Sequence, residues 1–217
     1  DTYHPETVFS SIDLHGRYAY FNQPGITKWN LARFAETLLP LIDEKKEKAI
    51  EIAKETIDNF SNIYKKLWLE MMRAKIGLFN EELNDEVLID DLLLWMKKNK
   101  ADYTNTFCAL MNKNIKQEFI FKNVDFVNWY NRWTNRLSKN EKDFDLALGL
   151  MNKTNPLIIP RNHKVEESLE AANNGNLKLV KNLLKYLKNP YNNQTGISTY
   201  QTVPMENEKK YKTFCGT

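Results

Sequence analysis

Residues 43–76 read DEKKEKAIEIAKETIDNFSNIYKKLWLEMMRAKI. Ile50, Ala53, Ile57, Phe60, Tyr64, Leu67, Met71 and Ala74 recur at steps of three and four. That spacing places them on one face of a single long helix. Asp43 is positioned to cap its start and Gly77 to end it. At 1.5 Å per residue the helix would run about 50 Å, and a helix of that length serves as the spine of a helical domain with its stripe buried.

Working outward, Thr27 can cap an upstream helix whose apolar face is Leu31, Phe34, Ala35 and Leu38, with Pro40 near its end. Residues 1–26 are irregular and punctuated by Pro5, Gly16 and the Pro24-Gly25 pair, which suits a type II turn. Tyr3, Phe9, Tyr18, Tyr20 and Phe21 predict a loop pinned on a core. Downstream, Leu88, Leu92, Trp95 and Met96 mark one helix. Asp102 can cap another that carries Tyr103, Phe107, Leu110 and Met111. Phe126, Trp129, Tyr130, Trp133 and Leu137 mark a third, and Asn140 can cap a fourth with Phe144, Ala147, Leu148 and Met151 inward. Past the extended Asn155–Pro160 stretch, Asn162 can cap a helix ending at Gly175, and Leu177–Leu187 forms the last, stopped by Pro190. Phe119–Phe121 is the one short strand candidate. The polar tail from Tyr191 is expected to be loosely held.

Composition agrees with a mainly α fold, since Gly and Pro number only 7 each among 217 residues. The formal net charge is +3, from 31 Lys+Arg and 28 Asp+Glu. That balance argues against nucleic acid or a membrane surface as the default partner. Two cysteines, Cys108 and Cys215, make no disulfide framework, so a cytoplasmic setting is expected. Asp1 is not preceded by Met or by an apolar leader, and the chain reads as one that begins within a longer protein.

The common catalytic signatures are missing from the sequence. The scattered glycines form no phosphate loop. His4, His15 and His163 lie far apart without carboxylates or cysteines at metal-ligand spacing, and read as surface or cap residues. Adjacent residues on a helix do not face each other, so Asp90-Asp91 reads as acids near a helix start and not as an acid/base pair. Trp129, Tyr130 and Trp133, with Arg132 and Arg136 beside them, could stack bases. At helical spacing they read first as core. The lysines within 45–48 and 97–100 read as solvated faces. Ala171-Ala172, Gly175-Asn176, Val180 and Leu183-Leu184 look like half an ankyrin repeat, but no second copy follows.

Several blocks occur in one order. They are Gly16-Arg17-Tyr18-Ala19-Tyr20, Asn22-Gln23-Pro24, Trp29-Asn30-Leu31-Ala32-Arg33 and Asp102-Tyr103-Thr104-Asn105-Thr106-Phe107. Then come Trp129…Arg132-Trp133…Arg136-Leu137, Asn155-Pro156…Ile159-Pro160-Arg161-Asn162-His163…Val165-Glu166, Pro190-Tyr191 and Tyr211…Phe214-Cys215-Gly216-Thr217. Together they resemble the selenoprotein O family from end to end. The resemblance implies a pseudokinase-like fold that binds ATP in inverted orientation, with Mg or Mn, and transfers AMP to hydroxyls of protein substrates. It implies that this chain is the helical lower-lobe portion and C-terminal extension. Residues 1–26 would correspond to the activation-segment region and 27–217 to the remainder.

In family members the groups that handle ATP and metal sit in blocks that would precede Asp1, and Asp1-Thr2-Tyr3 looks like the residues that finish or follow the last of them. No catalytic, cofactor-binding or metal-binding residue is therefore expected within 1–217. Cys215 is the candidate redox residue, because selenocysteine-containing members carry that residue near this point. Cys108, among Phe107, Leu110 and Met111, is expected to be buried and inert. The alternative to an enzyme fragment is a stand-alone helical protein-interaction module. A surface left open by the missing part is expected to favour self-association.

Overall fold

A computed structural model describes residues 1–112, 115, 119–140, 144–205 and 213. Nine α-helices are described: α1 Gln23–Ile42, α2 Lys46–Lys75, α3 Asp85–Asn99, α4 Tyr103–Leu110, α5 Val124–Ser138, α6 Phe144–Thr154, α7 Asn162–Asn173, α8 Lys178–Leu187 and α9 Ser198–Gln201. Among the described residues there is no strand, only an isolated antiparallel bridge between Thr2 and Asp102. Phe119–Lys122 is a 3-10 turn, which corrects the strand expected at Phe119–Phe121. Four residues with no neighbouring strand to pair with cannot satisfy their backbone as sheet. No described helix is long and apolar enough to cross a membrane.

The chain divides into two compact units. The first comprises Asp1–Tyr3 and Met71–Tyr211; the second comprises His4–Glu70 and Lys212–Thr217. Residues 46–70 of α2 thus belong to the second unit and its end to the first.

The core of the first unit is aromatic. Trp95, Phe121, Phe126, Trp129 and Trp133 form a chain of ring contacts 4.7–5.7 Å apart. Trp133 is fully buried, and its indole N–H donates to the Ile76 carbonyl at 2.8 Å; that of Trp129 donates to Leu88 at 2.7 Å. Both indoles therefore enter the core without an orphaned donor. The α5 stripe is core, and its arginines serve as ion-pair partners. Arg136 donates to both carboxylate oxygens of buried Asp85, at 2.6 and 3.1 Å, and to Asn80. Arg132 pairs with Asp91 at 2.6 Å. α3 begins at Asp85, so Asp90 and Asp91 lie beyond its first turn. Gly77 ends α2 as expected, at φ 78°, with Leu78 N–H donating to Arg73 O at 2.9 Å. A Cβ there would meet Ala147 Cβ at 3.2 Å, so close packing as well as conformation selects glycine. α7 and α8 pack as a helical hairpin turned at Gly175.

In the second unit α1 begins at Gln23, four residues before the expected Thr27 cap, and the Thr27 hydroxyl bonds back to Gln23 O. Pro24 and Gly25 lie in its first turn and make no type II turn. Proline suits that position because its missing N–H would lack an intrahelical partner anyway. The α2 stripe is not fully buried here: Ile50, Tyr64 and Leu67 are exposed while Ala53, Ile57 and Phe60 are half-buried, and α1 has no buried residue.

Candidate functional site

Two of the blocks quoted above, Asp102–Phe107 and Asn155–Glu166, come together with Asp1 in the first unit at a buried polar junction. α3 ends with Lys100 in the left-handed region, at φ 50°, and Ala101 N–H reaching back to Met96 O at 2.9 Å. The chain then passes extended through Ala101 and Asp102. Alongside it lies Asp1–Tyr3, held by Tyr3 N–H to Ala101 O and Tyr103 N–H to Asp1 O, both 2.9 Å. Asp102 caps α4, as expected, by accepting from Asn105 N–H at 2.7 Å.

The extended 155–161 segment completes the junction. Pro156 and Pro160 keep it out of a helix. It is fastened at Leu157, whose N–H donates to Pro190 O and whose carbonyl accepts from Gln201. Asn155, 1% exposed, donates to Lys75 O at 2.8 Å. The segment delivers Arg161, at the start of α7, into the junction. Its side chain is 1% exposed. Nη1 contacts Asp1 Oδ1 and Asp102 Oδ2, each at 2.7 Å; Nη2 contacts Asp102 Oδ1 and Asn105 Oδ1, each at 3.1 Å. A guanidinium this deep would be costly alone, and the planar fork is offset by paired carboxylates at matching geometry. Asn105 continues the network by donating to Gln201 O at 3.0 Å.

Beside this junction lies a cationic amine in apolar surroundings. Lys75 Nζ sits over the Phe107 ring at 4.4 Å and the Tyr103 ring at 5.5 Å. Burial lowers its pKa to about 8, opposed by neighbouring Cys108. Burial pushes the Cys108 thiol up to about 11, against the pull of Lys75. Cys108 Sγ donates to Pro156 O at 3.4 Å. Cys108 is half-buried where full burial was expected, and its raised pKa favours the thiol over the thiolate.

The second unit carries the Gly16–Pro24 block, wired internally. Asp13 accepts from Arg17 and Tyr18 N–H, Asn22 donates to Gly16 O, and Gln23 donates to Tyr18 O. The Arg17 and Arg33 guanidiniums lie over the Trp29 ring at 4.7 and 5.5 Å. Thr213 bonds to Phe9 O and Ser11 N–H, both at 2.7 Å. Phe9, Tyr18 and Phe21 are nonetheless exposed, Phe21 at 71%. Of the loop's aromatics Tyr3 and Tyr20 are half-buried, Tyr3 against the Tyr103 ring, while Phe9, Tyr18 and Phe21 fasten nothing to a core and polar bonds hold that part. α1 and α2 flank an open groove of about 730 Å³ lined by Trp29, Ala32, Ala35, Leu39, Ala53 and Ile57.

Among the described residues no group of three or more His, Cys, Asp or Glu could hold a metal ion, so no chemical step is derived through one. His163 is buried and so departs from the expected surface role, while His15 is exposed and His4 accepts from Glu6 N–H. Cys215 lies outside the described residues. The sequence marks Asp102 as a helix cap, and Arg161 and Asn105 only as members of separate blocks.

The family profile described as "Protein adenylyltransferase SelO" matches residues 1–188. A protein nucleotidyltransferase YdiU of Pelagibacter ubique is 52% identical over 217 residues, covering 100% of this chain and 45% of the relative. Proteins of the same name from Clostridium perfringens and Brevibacillus brevis are 48% and 49% identical, again over 100% of this chain and 44% of the relative. The chain thus spans less than half the length of these curated relatives. On this match, running through the same blocks that build the junction, the chain belongs to the SelO family.

Proposed function

We propose that this chain is the C-terminal helical part of a protein adenylyltransferase, which moves AMP from ATP to Ser, Thr or Tyr hydroxyls of other proteins. The observation that carries the reading is the family match over residues 1–188 at about half the relatives' length. In this reading the fold is the lower lobe of a kinase-like domain. ATP and Mg or Mn are held by polypeptide preceding Asp1, residues 1–26 form an activation-segment-like surface that meets the protein substrate, and residues 27–217 are scaffold. The exposed aromatics of residues 1–26 and their polar wiring suit such a surface. Metal and cationic groups would neutralise charge at the α-phosphorus, and positioning would supply much of the rest. The protein works in the cytoplasm.

Incubating the full-length protein with ATP and weighing the products tests this: a mass gain of one adenylyl group is expected, and a phosphoryl gain would make it an ordinary kinase. Saturable ATP binding by the 217-residue chain alone, measured by calorimetry, would place nucleotide-handling groups where none is proposed. A second reading, a helical module that only binds protein, is favoured by the open α1–α2 groove. It predicts no nucleotide transfer in the full-length protein.

A further inference from the structure

We infer that the Asp1–Arg161 contact is a positioning tether, which sets the direction in which the polypeptide preceding Asp1 joins the helical part. It has this role on the adenylyltransferase reading above, in which that polypeptide acts on the nucleotide. Arg161 lies 160 residues from Asp1, yet the two meet at 2.7 Å with the arginine side chain 1% exposed and the aspartate side chain 13% exposed. The contact is flanked by two backbone bonds, Tyr3 to Ala101 and Tyr103 to Asp1, so the three residues are held in a single register. They belong to the first unit while His4 onward belongs to the second, which makes Asp1–Tyr3 a clasp and not the start of the loop that follows.

Stability alone is a weak reason for this arrangement. Buried ion networks replaced whole by apolar groups are often as stable, so what the network supplies is a defined geometry. Asp102 and Asn105 also satisfy Arg161, and Asp102 caps α4. Asp1 holds its own segment to that network, through its carboxylate at Arg161 and its carbonyl at Tyr103. A small displacement of groups around a reacting centre lowers turnover by up to about a hundredfold. Arg161 and Asp1 thus act as positioning residues.

The test uses the full-length protein with Asp1→Ala and Asp1→Asn, since loss of Arg161 would strand two carboxylates and risk unfolding. The readouts are melting temperature, amide exchange at Tyr3 and Tyr103, and kcat and KM for AMP transfer. Asp1→Ala is expected to stay folded, to exchange faster at Tyr3, and to lose about tenfold in kcat with KM for ATP within about twofold. Asp1→Asn, which keeps an acceptor for Nη1, should recover most of both. Unchanged exchange at Tyr3 overturns the tether. Faster exchange with unchanged kcat, or collapse of the fold in Asp1→Ala, overturns its positioning role. Silence of the unaltered protein sinks the adenylyltransferase reading, and this role with it, and is told apart because no substitution is involved.

Discussion

The two compact units contain helices of similar amphipathic pattern with opposite fates. In the first, α3 and α5 bury their stripes against one another, and the indoles of Trp129 and Trp133 and the Arg136 guanidinium each meet an acceptor inside, at Leu88, Ile76 and Asp85. In the second, α1 buries nothing, and α2 presents Ile50, Tyr64 and Leu67 to solvent beside an open groove. Polar wiring and an exposed indole between two guanidiniums hold the loop that leads into α1. The contrast teaches that periodicity specifies which face of a helix is apolar, whereas burial requires a second surface to be present.

The comparison is broken most forcefully at the buried ion pair. Arg136→Met leaves the Asp85 carboxyl without its guanidinium partner at 1% exposure, and equilibrium urea unfolding should show a loss of about 3–5 kcal/mol. A loss near zero would mean the first unit is not organised around its internal polar pairs. Next, Trp133→Phe keeps an aromatic ring but orphans the Ile76 carbonyl, with an expected cost of about 1–3 kcal/mol by the same measurement.

Lys75 gives a pH test of the same unit. Its folded pKa, about 8, lies below its ordinary value of 10.5. The unfolded chain therefore binds more protons between these values, so stability rises with pH from about 8 to about 10.5, and below about 8 the burial penalty is present in full. Lys75→Met should stabilise the protein at neutral pH and remove this rise in thermal melts taken across the window. The smallest effect belongs to the second unit. Ile57→Ala in this chain should change stability by less than about 1 kcal/mol, because its side chain faces an open groove and not a packed core. A cost of the size seen for core truncations would show that the groove is closed in solution.

Helix positions were largely legible. Gly77 and Asp102 do at α2 and α4 what their residue types favour, and the tryptophan stripe of α5 is core because indoles at helical spacing have one apolar face to hide. Helix starts were less so. The Pro24-Gly25 pair fits a turn or a helical first turn equally well, and only the bonds from Asn22 and Gln23 back to Gly16 and Tyr18 select the second. The junction was hidden because its members, Asp1, Asp102, Asn105 and Arg161, lie up to 160 residues apart and each has an ordinary local role available, as cap or surface charge.

What the sequence determined by itself is local and additive: a mainly helical chain, the apolar face of each helix, its caps and stops, and the ordered blocks that mark its family. What tertiary structure alone decided is which of those faces are covered and which charges meet. Periodicity is set within a few turns of chain, but a buried guanidinium is stable only where carboxylates from distant segments converge on it, and that convergence is a property of the packed whole.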